Sequence, residues 1–157
     1  MKIRLFVIGK TEAEYLRKGI AVYENRIRHY IPFEIVELPA IRNVSGLPAT
    51  LQKAKEAALF DKVCQAGERL VLLDEKGKEL TSVGFSEFLN KRFISGSGNL
   101  SFLVGGPFGF DESITKKADF ILSLSKMTFS HQMVRLFFTE QLYRALTILR
   151  GESYHHE

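Results

Sequence analysis

The sequence has a single cysteine, Cys64, and no tryptophan among its 157 residues. One cysteine excludes a disulfide framework, a cysteine-based zinc cluster and an iron–sulfur centre. The four histidines do not occur in the H-E-x-x-H or H-x-x-E-H spacings of zinc enzymes, so we predict no metal site. Cys64 is interpreted as a reduced thiol that packs as a small core residue.

Long apolar segments are missing as well. No stretch approaches the ~20 apolar residues that cross a bilayer, and the apolar run at residues 5–8 is too short for the core of a signal peptide. The sequence also lacks an internal repeat, a low-complexity segment and a linker. We therefore predict one cytoplasmic domain that spans residues 1–157 and has no membrane partner.

The charge is modest and unevenly distributed. There are 22 lysines and arginines against 18 aspartates and glutamates, which gives a net charge of +4. Residues 1–30 hold seven basic and three acidic residues, so the excess lies near the amino terminus. A surplus of this size permits a nucleic-acid partner but does not require one. The basic side chains of the first predicted helix are expected on its exposed face.

The pattern of apolar residues predicts an α/β fold. Short, nearly continuous apolar runs are typical of strands that are covered on both faces, as in parallel sheets. Helical periodicity fills the gaps between these runs, so we predict a mainly parallel sheet between helices. The predicted strands are residues 3–8, 33–38, 70–73, 100–104 and 120–124. The predicted helices are residues 13–30, 49–65, 85–93 and 131–150, with a short helix that starts near residue 111.

The last predicted helix, residues 131–150, is apolar on more than one face. One stripe contains Val134, Phe138 and Leu142, while Met133 and Phe137 lie on other faces. Such a helix must bury more than one face, and in a small domain a second subunit can provide the cover. We predict a homodimer on this pattern; a helix packed centrally within one chain is the alternative.

Three segments follow the carboxyl ends of predicted strands, which is where open α/β sheets usually bind ligands. They are residues 72–77, 105–110 and 124–131. The first is interpreted as a solvated turn, because Asp74 and Glu75 are adjacent and polar. The chain ends in a polar and aromatic tail, residues 151–157, which either takes part in function or frays as chain ends usually do.

The glycine-rich segment at residues 105–110 does not read as a phosphate loop. It matches neither G-x-G-x-x-G nor the Walker A sequence, and Pro107 removes an amide donor. Gly105 and Gly106 are instead expected to let a ligand or another backbone approach closely. A phosphate is therefore disfavoured here, whereas a flat or thioether-bearing ligand is not; a tight strand-to-helix turn without a ligand is the alternative.

Several motifs resemble those of one methyltransferase family. They are LVGGPFG at residues 103–109, LSKMTFSHQMVR at residues 124–135, EQLYRA at residues 140–145 and YH at residues 154–155. The chain resembles the ribosomal RNA large subunit methyltransferase H family, of the SPOUT class, from its first strand to its tail. The resemblance implies a carboxy-terminal trefoil knot, a homodimer and S-adenosylmethionine as methyl donor. It also implies that the acceptor is N3 of a pseudouridine in 23S ribosomal RNA, within the large subunit or the assembled ribosome.

The resemblance also assigns site residues. The implied donor-binding residues are Leu73, Gly105, Leu124, Ser125, Lys126, Met127, Thr128 and Phe129. Because N3 of pseudouridine carries an imide proton, methyl transfer needs a base or stabilisation of the anion. The predicted catalytic residues are His155, Tyr154 and Arg144, with His131 as a further candidate. The predicted RNA-binding residues are Arg17, Lys18, Arg26, Arg28 and His156. His156 stands where some members of the family carry a basic residue.

Two other functions stay open at the level of sequence. A ribosome-binding or assembly module would keep the same fold without turnover. An α/β enzyme that uses another nucleotide is disfavoured by the missing phosphate motifs. Calorimetric titration with S-adenosylmethionine bears on the first alternative, because absence of binding by the folded dimer would reject the methyltransferase.

Overall fold

Strands and helices alternate along the chain in the computed structural model, which describes residues 1–96 and 98–157. The strands are β1 (Ile3–Ile8), β2 (Phe33–Leu38), β3 (Arg69–Glu79), β4 (Leu100–Val104) and β5 (Phe120–Ser123). The helices are α1 (Glu14–Arg28), α2 (Ala49–Val63), α3 (Ser82–Ser95), α4 (Glu112–Lys117) and α5 (Met133–Leu149). All neighbouring strands pair in parallel in the order β2-β1-β4-β3-β5, which confirms the predicted fold class.

Two apolar layers cover the two faces of the sheet. Successive residues of a strand point to opposite faces, so Leu5 contributes to one layer and Phe6 to the other. The Leu5 layer includes buried residues of α1, α3 and α5, such as Phe138 at 0% exposure. The Phe6 layer is smaller and takes Phe60 from α2 and Ile114 from α4. The sheet therefore lies between three helices on one side and two on the other.

Helix α5 packs against both α1 and α3 within the chain. Its buried stripe includes Phe138, Leu142 and Ala145, each fully buried. Packing within the chain explains much of the apolar character of this helix. Phe137, however, is 42% exposed, so α5 also presents an apolar side chain to solvent. The homodimer therefore stays a prediction that this exposed face supports.

Strand β3 is longer than predicted: residues 72–77 belong to the strand and not to a turn, but Glu75 and Lys76 are exposed to solvent as the sequence predicts. Val71 to Leu73 pair with β5, and the pairing resumes at Lys78 and Glu79 after a shift of register. The residues between Leu73 and Lys78 form an arch: they do not pair with β5, but they still belong to the strand. The sequence conceals this extension because residues 74–79 carry five charged side chains and no apolar one.

Gly77 marks a close crossing of β3 over β5. A Cβ atom at this position would lie 2.6 Å from the backbone oxygen of Ile121, a distance that real Cβ atoms do not adopt. The glycine therefore lets two backbones touch. The order of strands in a sheet does not by itself show whether a chain is knotted, and knotted chains are very rare. The trefoil knot therefore stays a prediction from the family resemblance.

Candidate active site

A cleft of about 280 Å³ opens at the carboxyl ends of β3, β4 and β5. Each of the three segments that the sequence singles out contributes one wall, because parallel strands end at the same edge of the sheet. The lining residues are Leu73, Asp74, Glu75, Lys76, Val104, Gly105, Gly106, Pro107, Phe108, Gly109, Phe110, Leu124, Ser125, Met127, Thr128, Phe129, His131 and Val134.

The wall after β4 is a tight turn at residues 105–109, here called the glycine turn. The Gly109 N–H donates to the carbonyl of Gly106 at 3.1 Å, and Gly109 adopts a positive φ of 82°. A Cβ on Gly105 would lie 3.1 Å from the Gly109 oxygen and 3.4 Å from the Phe110 ring. Gly105 therefore admits another part of its own turn, one of the two roles that the sequence suggests for it.

The wall after β5 is organised by its own serines. The Ser123 hydroxyl donates to the carbonyl of Ser125 at 2.8 Å, and the Ser125 hydroxyl accepts from the Met127 N–H at 3.0 Å. Ser130 accepts from the Met133 N–H at 3.0 Å, which satisfies a free amide at the start of α5. These bonds shape the loop that lines this side of the cleft, in which Met127 remains 78% exposed.

Two side-chain contacts attach this loop to the rest of the molecule. The Thr128 hydroxyl donates a short hydrogen bond to the Glu75 carboxylate, so the arch of β3 and the loop after β5 are joined across the cleft. The Phe129 ring stacks on Phe137 with centroids 4.7 Å apart. Glu75 is therefore part of the cleft lining, and it is also exposed to solvent as the sequence predicts.

Seven of the eight predicted donor-binding residues line the cleft. The exception is Lys126, whose side chain is 88% exposed and whose Nζ lies 3.7 Å from a Glu79 carboxylate oxygen. The seven are Leu73, Gly105, Leu124, Ser125, Met127, Thr128 and Phe129. His131 also lies in the lining, next to the start of α5.

Arg135 is a residue of the site that the sequence analysis did not assign. It is 1% exposed and donates to the carbonyls of Ile8 at 2.8 Å, Gly9 at 2.9 Å and His131 at 3.0 Å, and to the Thr11 hydroxyl at 3.0 Å. Burial lowers the pKa of the guanidinium. It joins the end of β1 to the start of α5. A charged residue three positions before Phe138, on the apolar stripe of α5, is the sequence signal that could have found it.

The three predicted catalytic residues form one cluster, and Glu140 holds them together. Arg144 donates to Glu140 Oε1 at 2.6 and 3.1 Å, and the Tyr154 hydroxyl donates to the same oxygen at 3.0 Å. The Arg144 guanidinium lies 4.7 Å from the centroid of the Tyr154 ring, and its Nη1 lies 3.3 Å from Nδ1 of His155. Burial raises the pKa of Tyr154, and hydrogen bonds to Tyr23 and Glu140 raise it further. We call this group the tail cluster.

The chain end is attached to the body of the molecule rather than frayed. The Tyr30 hydroxyl donates to a Glu152 carboxylate oxygen at 2.6 Å, and the Glu152 N–H donates to the carbonyl of Thr147 at 3.0 Å. The hydrogen bond to Glu152 raises the pKa of Tyr30 to about 12. The Tyr154 ring also packs edge-on against Tyr143 at 4.7 Å. These contacts fix the tail cluster on α5.

The tail cluster and the cleft lie at opposite ends of α5. Val134 lines the cleft, and Arg144 is ten residues further along the helix. A rise of ~1.5 Å per residue separates their backbones by ~15 Å along the helix axis. None of the three predicted catalytic residues is among the cleft lining of the described chain. One chain therefore does not bring its donor cleft and its tail cluster together.

The predicted RNA-binding residues of α1 are exposed but mostly engaged. Arg17 donates to the backbone of Thr11 at 3.0 Å, and the guanidinium of Arg26 lies 5.5 Å from the centroid of the Tyr143 ring. Lys18 and Arg28 form ion pairs one helical turn away, with Glu14 at 3.4 Å and Glu24 at 2.6 Å. His156 is exposed at the chain end. The positive face of α1 is thus partly neutralised by its own helix.

Among residues 1–96 and 98–157, no three side chains of His, Cys, Asp and Glu come together as a metal-binding group. No helix of the described residues has both the length and the apolar character needed to cross a membrane.

Comparisons with known proteins connect the cleft to a family. Residues 1–155 match the family model described as "Predicted SPOUT methyltransferase". The chain is 56% identical over 157 residues to Ribosomal RNA large subunit methyltransferase H of Parabacteroides distasonis, with 100% of each chain covered. It is 51% identical over 156 residues to the protein of that name from Cytophaga hutchinsonii, with 99% of this chain and 100% of that one covered.

Solved structures share the fold at low sequence identity. A probable methyltransferase from Bordetella pertussis superposes with a TM-score of 0.54 at 9% identity, over 92% of this chain and 96% of that one. A probable methylase family protein from Haemophilus influenzae gives a TM-score of 0.54 at 10% identity, over 99% of this chain and 70% of that one. At such identities these two structures support the fold alone.

Proposed function

The chain belongs to the SPOUT methyltransferase family, within its ribosomal RNA large subunit methyltransferase H group, and we propose that it methylates N3 of pseudouridine 1915 in 23S ribosomal RNA. The methyl donor is S-adenosylmethionine. The protein acts as a homodimer of one-domain chains, residues 1–157, on large-subunit RNA in the cytoplasm.

The cleft is the observation that carries this proposal. Leu73, Leu124 and Phe129 offer apolar surface for the faces of an adenine, and backbone groups of the glycine turn and the loop after β5 offer donors and acceptors for its edge. Pro107 removes an amide from any phosphate-binding nest. A nucleoside that carries a sulfonium and no phosphate fits this lining.

Bound S-adenosylmethionine supplies a methyl group on a cationic sulfur, which departs as a neutral thioether without acid catalysis. The protein must align the acceptor nitrogen with the methyl carbon and deal with the imide proton of N3. A guanidinium only donates, so Nδ1 of His155 accepts from Arg144 and the proton of a neutral ring lies on Nε2. Arg144 and His155 therefore present donors, which suits stabilisation of the N3 anion better than abstraction of its proton.

A second copy of the chain explains how the tail cluster reaches a cleft. The face formed by α1 and α5 carries exposed apolar side chains, including Tyr15 at 67% and Phe137 at 42% exposure. The Tyr15 hydroxyl contacts the Met133 sulfur at 3.9 Å, so the two helices present one continuous surface. In the dimer that we propose, two such faces pair with their α5 helices antiparallel, so that the tail cluster of each chain would lie beside the cleft of the other.

RNA contact is assigned to the same assembly. Arg17, Lys18, Arg26 and Arg28 on α1 and His156 at the chain end supply the basic side chains. Contacts of this kind to phosphates weaken as salt rises. Replacing Arg17 and Lys18 together by glutamine is therefore expected to weaken binding to ribosomal particles and to reduce its dependence on salt, while donor affinity stays unchanged.

Methyl transfer tests the function directly. Purified protein, labelled S-adenosylmethionine and either free large subunits or joined ribosomes are incubated, and the modified base is mapped. We expect one methyl group at N3 of the pseudouridine. If the protein bound S-adenosylmethionine but methylated neither particle, the ribosome-binding module would be the remaining explanation. If calorimetry showed no binding of S-adenosylmethionine, the methyltransferase function would be rejected.

A mixed dimer tests the second copy. Deleting residues 154–157 should abolish transfer and spare donor binding, and Gly105→Val should impair donor binding and spare the tail. Each variant alone is expected to be inactive. Co-expressed, they should regain activity, because an intact tail then meets an intact cleft across the dimer; a mixed dimer without activity would show that the tail acts within its own chain.

A further inference from the structure

Glu56 of α2 is a buried carboxylate that lies behind the donor cleft. The residue is 3% exposed, and it projects from the helix layer towards the glycine turn. Its Oε1 atom is buried without a hydrogen-bond partner among the described residues. An acidic side chain in such a place is costly for folding unless its neighbours compensate the charge.

The carboxylate fills the space in which a side chain at Gly106 would lie. A Cβ on Gly106 would be 2.1 Å from Oε2 and 2.7 Å from Oε1 of Glu56. Gly106 does not have a positive φ, so its backbone conformation is open to any residue. Glu56 therefore occupies the space that a side chain at Gly106 would need, and any such side chain would have to displace the carboxylate.

The carboxylate lies against the turn. Burial raises the pKa of Glu56, while the side chain of Gln52, one turn earlier in α2, and the backbone of Gly106 act in the opposite direction. Gly106 in turn accepts from the Gly109 N–H, so the contact continues into the far side of the turn.

We propose that Glu56 is a positioning residue of the methyltransferase: its carboxylate supports the glycine turn from behind and so sets the affinity of the cleft for S-adenosylmethionine. Glu56 is not in the cleft lining, so it acts through Gly106 and does not touch the donor. The turn supplies five of the lining residues, and a shift of the turn displaces one complete wall of the cleft. The description of the ligand as a methyl donor rests on the proposed function.

Single variants separate support of the turn from general stability. Glu56→Ala is expected to weaken S-adenosylmethionine binding about tenfold, because small displacements of positioning groups have large effects on a preorganised site. Glu56→Gln keeps the size and one acceptor oxygen, and it should bind within about twofold of wild type. Asp61→Ala is the matched control, since it removes an exposed carboxylate from the same helix. In steady-state assays Glu56→Ala should raise the KM for the donor and leave the KM for ribosomal particles unchanged.

A double-mutant cycle tests the contact itself. Gly106→Ala places a methyl group on the carboxylate and should weaken donor binding by about tenfold or more. In the Glu56→Ala/Gly106→Ala double variant the collision is absent, so donor binding should be stronger than in Gly106→Ala alone. Additive losses in the double variant would overturn the proposal, as would a Glu56→Ala protein with the donor affinity of wild type.

Hydrogen exchange of the ligand-free protein provides a readout that does not depend on the donor. Glu56→Ala should speed exchange of the Gly109 amide, which bonds to Gly106, and leave the β4 amides unchanged. Unchanged exchange at Gly109 would reject Glu56 as support of the turn, whatever the ligand. If wild type bound no S-adenosylmethionine while Glu56→Ala still loosened the turn, the proposed function would fail and the support would stand.

Discussion

Replacing Arg135 by methionine tests whether a buried cation holds the cleft together. The guanidinium donates to three backbone carbonyls, those of Ile8, Gly9 and His131, and to the hydroxyl of Thr11. Methionine fills much of the same volume but offers no donor. The substitution therefore removes every one of these bonds with little change in packing.

The expected loss of stability follows from these contacts. A buried acceptor that loses its donor costs about 1–3 kcal/mol. His131 is exposed, so water can replace the lost donor there, and the carbonyls of Ile8 and Gly9 set an upper range of about 6 kcal/mol. Removing the cation also returns the several kcal/mol that its burial costs. We expect Arg135→Met to lower the free energy of unfolding by about 3 kcal/mol, a large effect for a point mutant.

Urea denaturation followed by circular dichroism measures this change, at one fixed protein concentration because association adds to stability. Arg17→Met is the control: Arg17 also donates to backbone carbonyls, but it is exposed, so its loss should stay within about 0.5 kcal/mol. Donor affinity should fall in Arg135→Met, because the segment before α5 loses its attachment to β1. A loss below about 1 kcal/mol for Arg135→Met would refute the reasoning.

Three further predictions concern the backbone crossing, the glycine turn and the tail. Gly77→Ala should destabilise the protein by about 3 kcal/mol in urea denaturation, because its methyl group would meet the Ile121 backbone at 2.6 Å; a wild-type midpoint would contradict the crossing. Gly105→Val should weaken donor binding at least tenfold in calorimetry, since its side chain displaces the turn; wild-type affinity would remove Gly105 from the wall. The Tyr30 hydroxyl keeps its proton more firmly in the folded state, so the stability from its bond to Glu152 is complete below pH 10 and lost as the pH rises to about 12. Unfolding measured from pH 8 to 12 should show the advantage of wild type over Tyr30→Phe shrinking across that interval, and a constant difference would count against the bond.

The apolar runs predicted the strands well because a strand covered on both faces is apolar at most of its positions. Strand β3 shows the limit of this rule. Its first half, residues 70–73, is apolar and was found, whereas the continuation to Glu79 is charged and was interpreted as a turn. The second half of β3, residues 74–79, contacts β5 at Gly77. Because β5 lies more than forty residues further along the chain, this contact leaves no local pattern in the sequence.

The donor cleft was largely predictable, and its supports were not. Parallel strands bring the ends of β3, β4 and β5 to one edge, so naming three segments was enough to name most of the lining. Arg135 and Glu56 lie behind that lining. Each is a charged residue in a helix, and nothing in the sequence pattern distinguishes it from the exposed charged residues of that helix. The groups that it contacts belong to the backbone of segments distant in sequence.

The sequence by itself determined the α/β class, the positions of the strands and the family of the chain, because apolar periodicity and motifs are local properties of the chain. Only the tertiary structure decided which charges are buried, why Gly77 must be glycine, what fills the space beside Gly106, and that the tail cluster stands at the far end of α5 from the cleft. These depend on distances between segments remote in sequence. The physical reason is that burial and close approach are properties of packed neighbours, and the chain acquires those neighbours only when the sheet has formed.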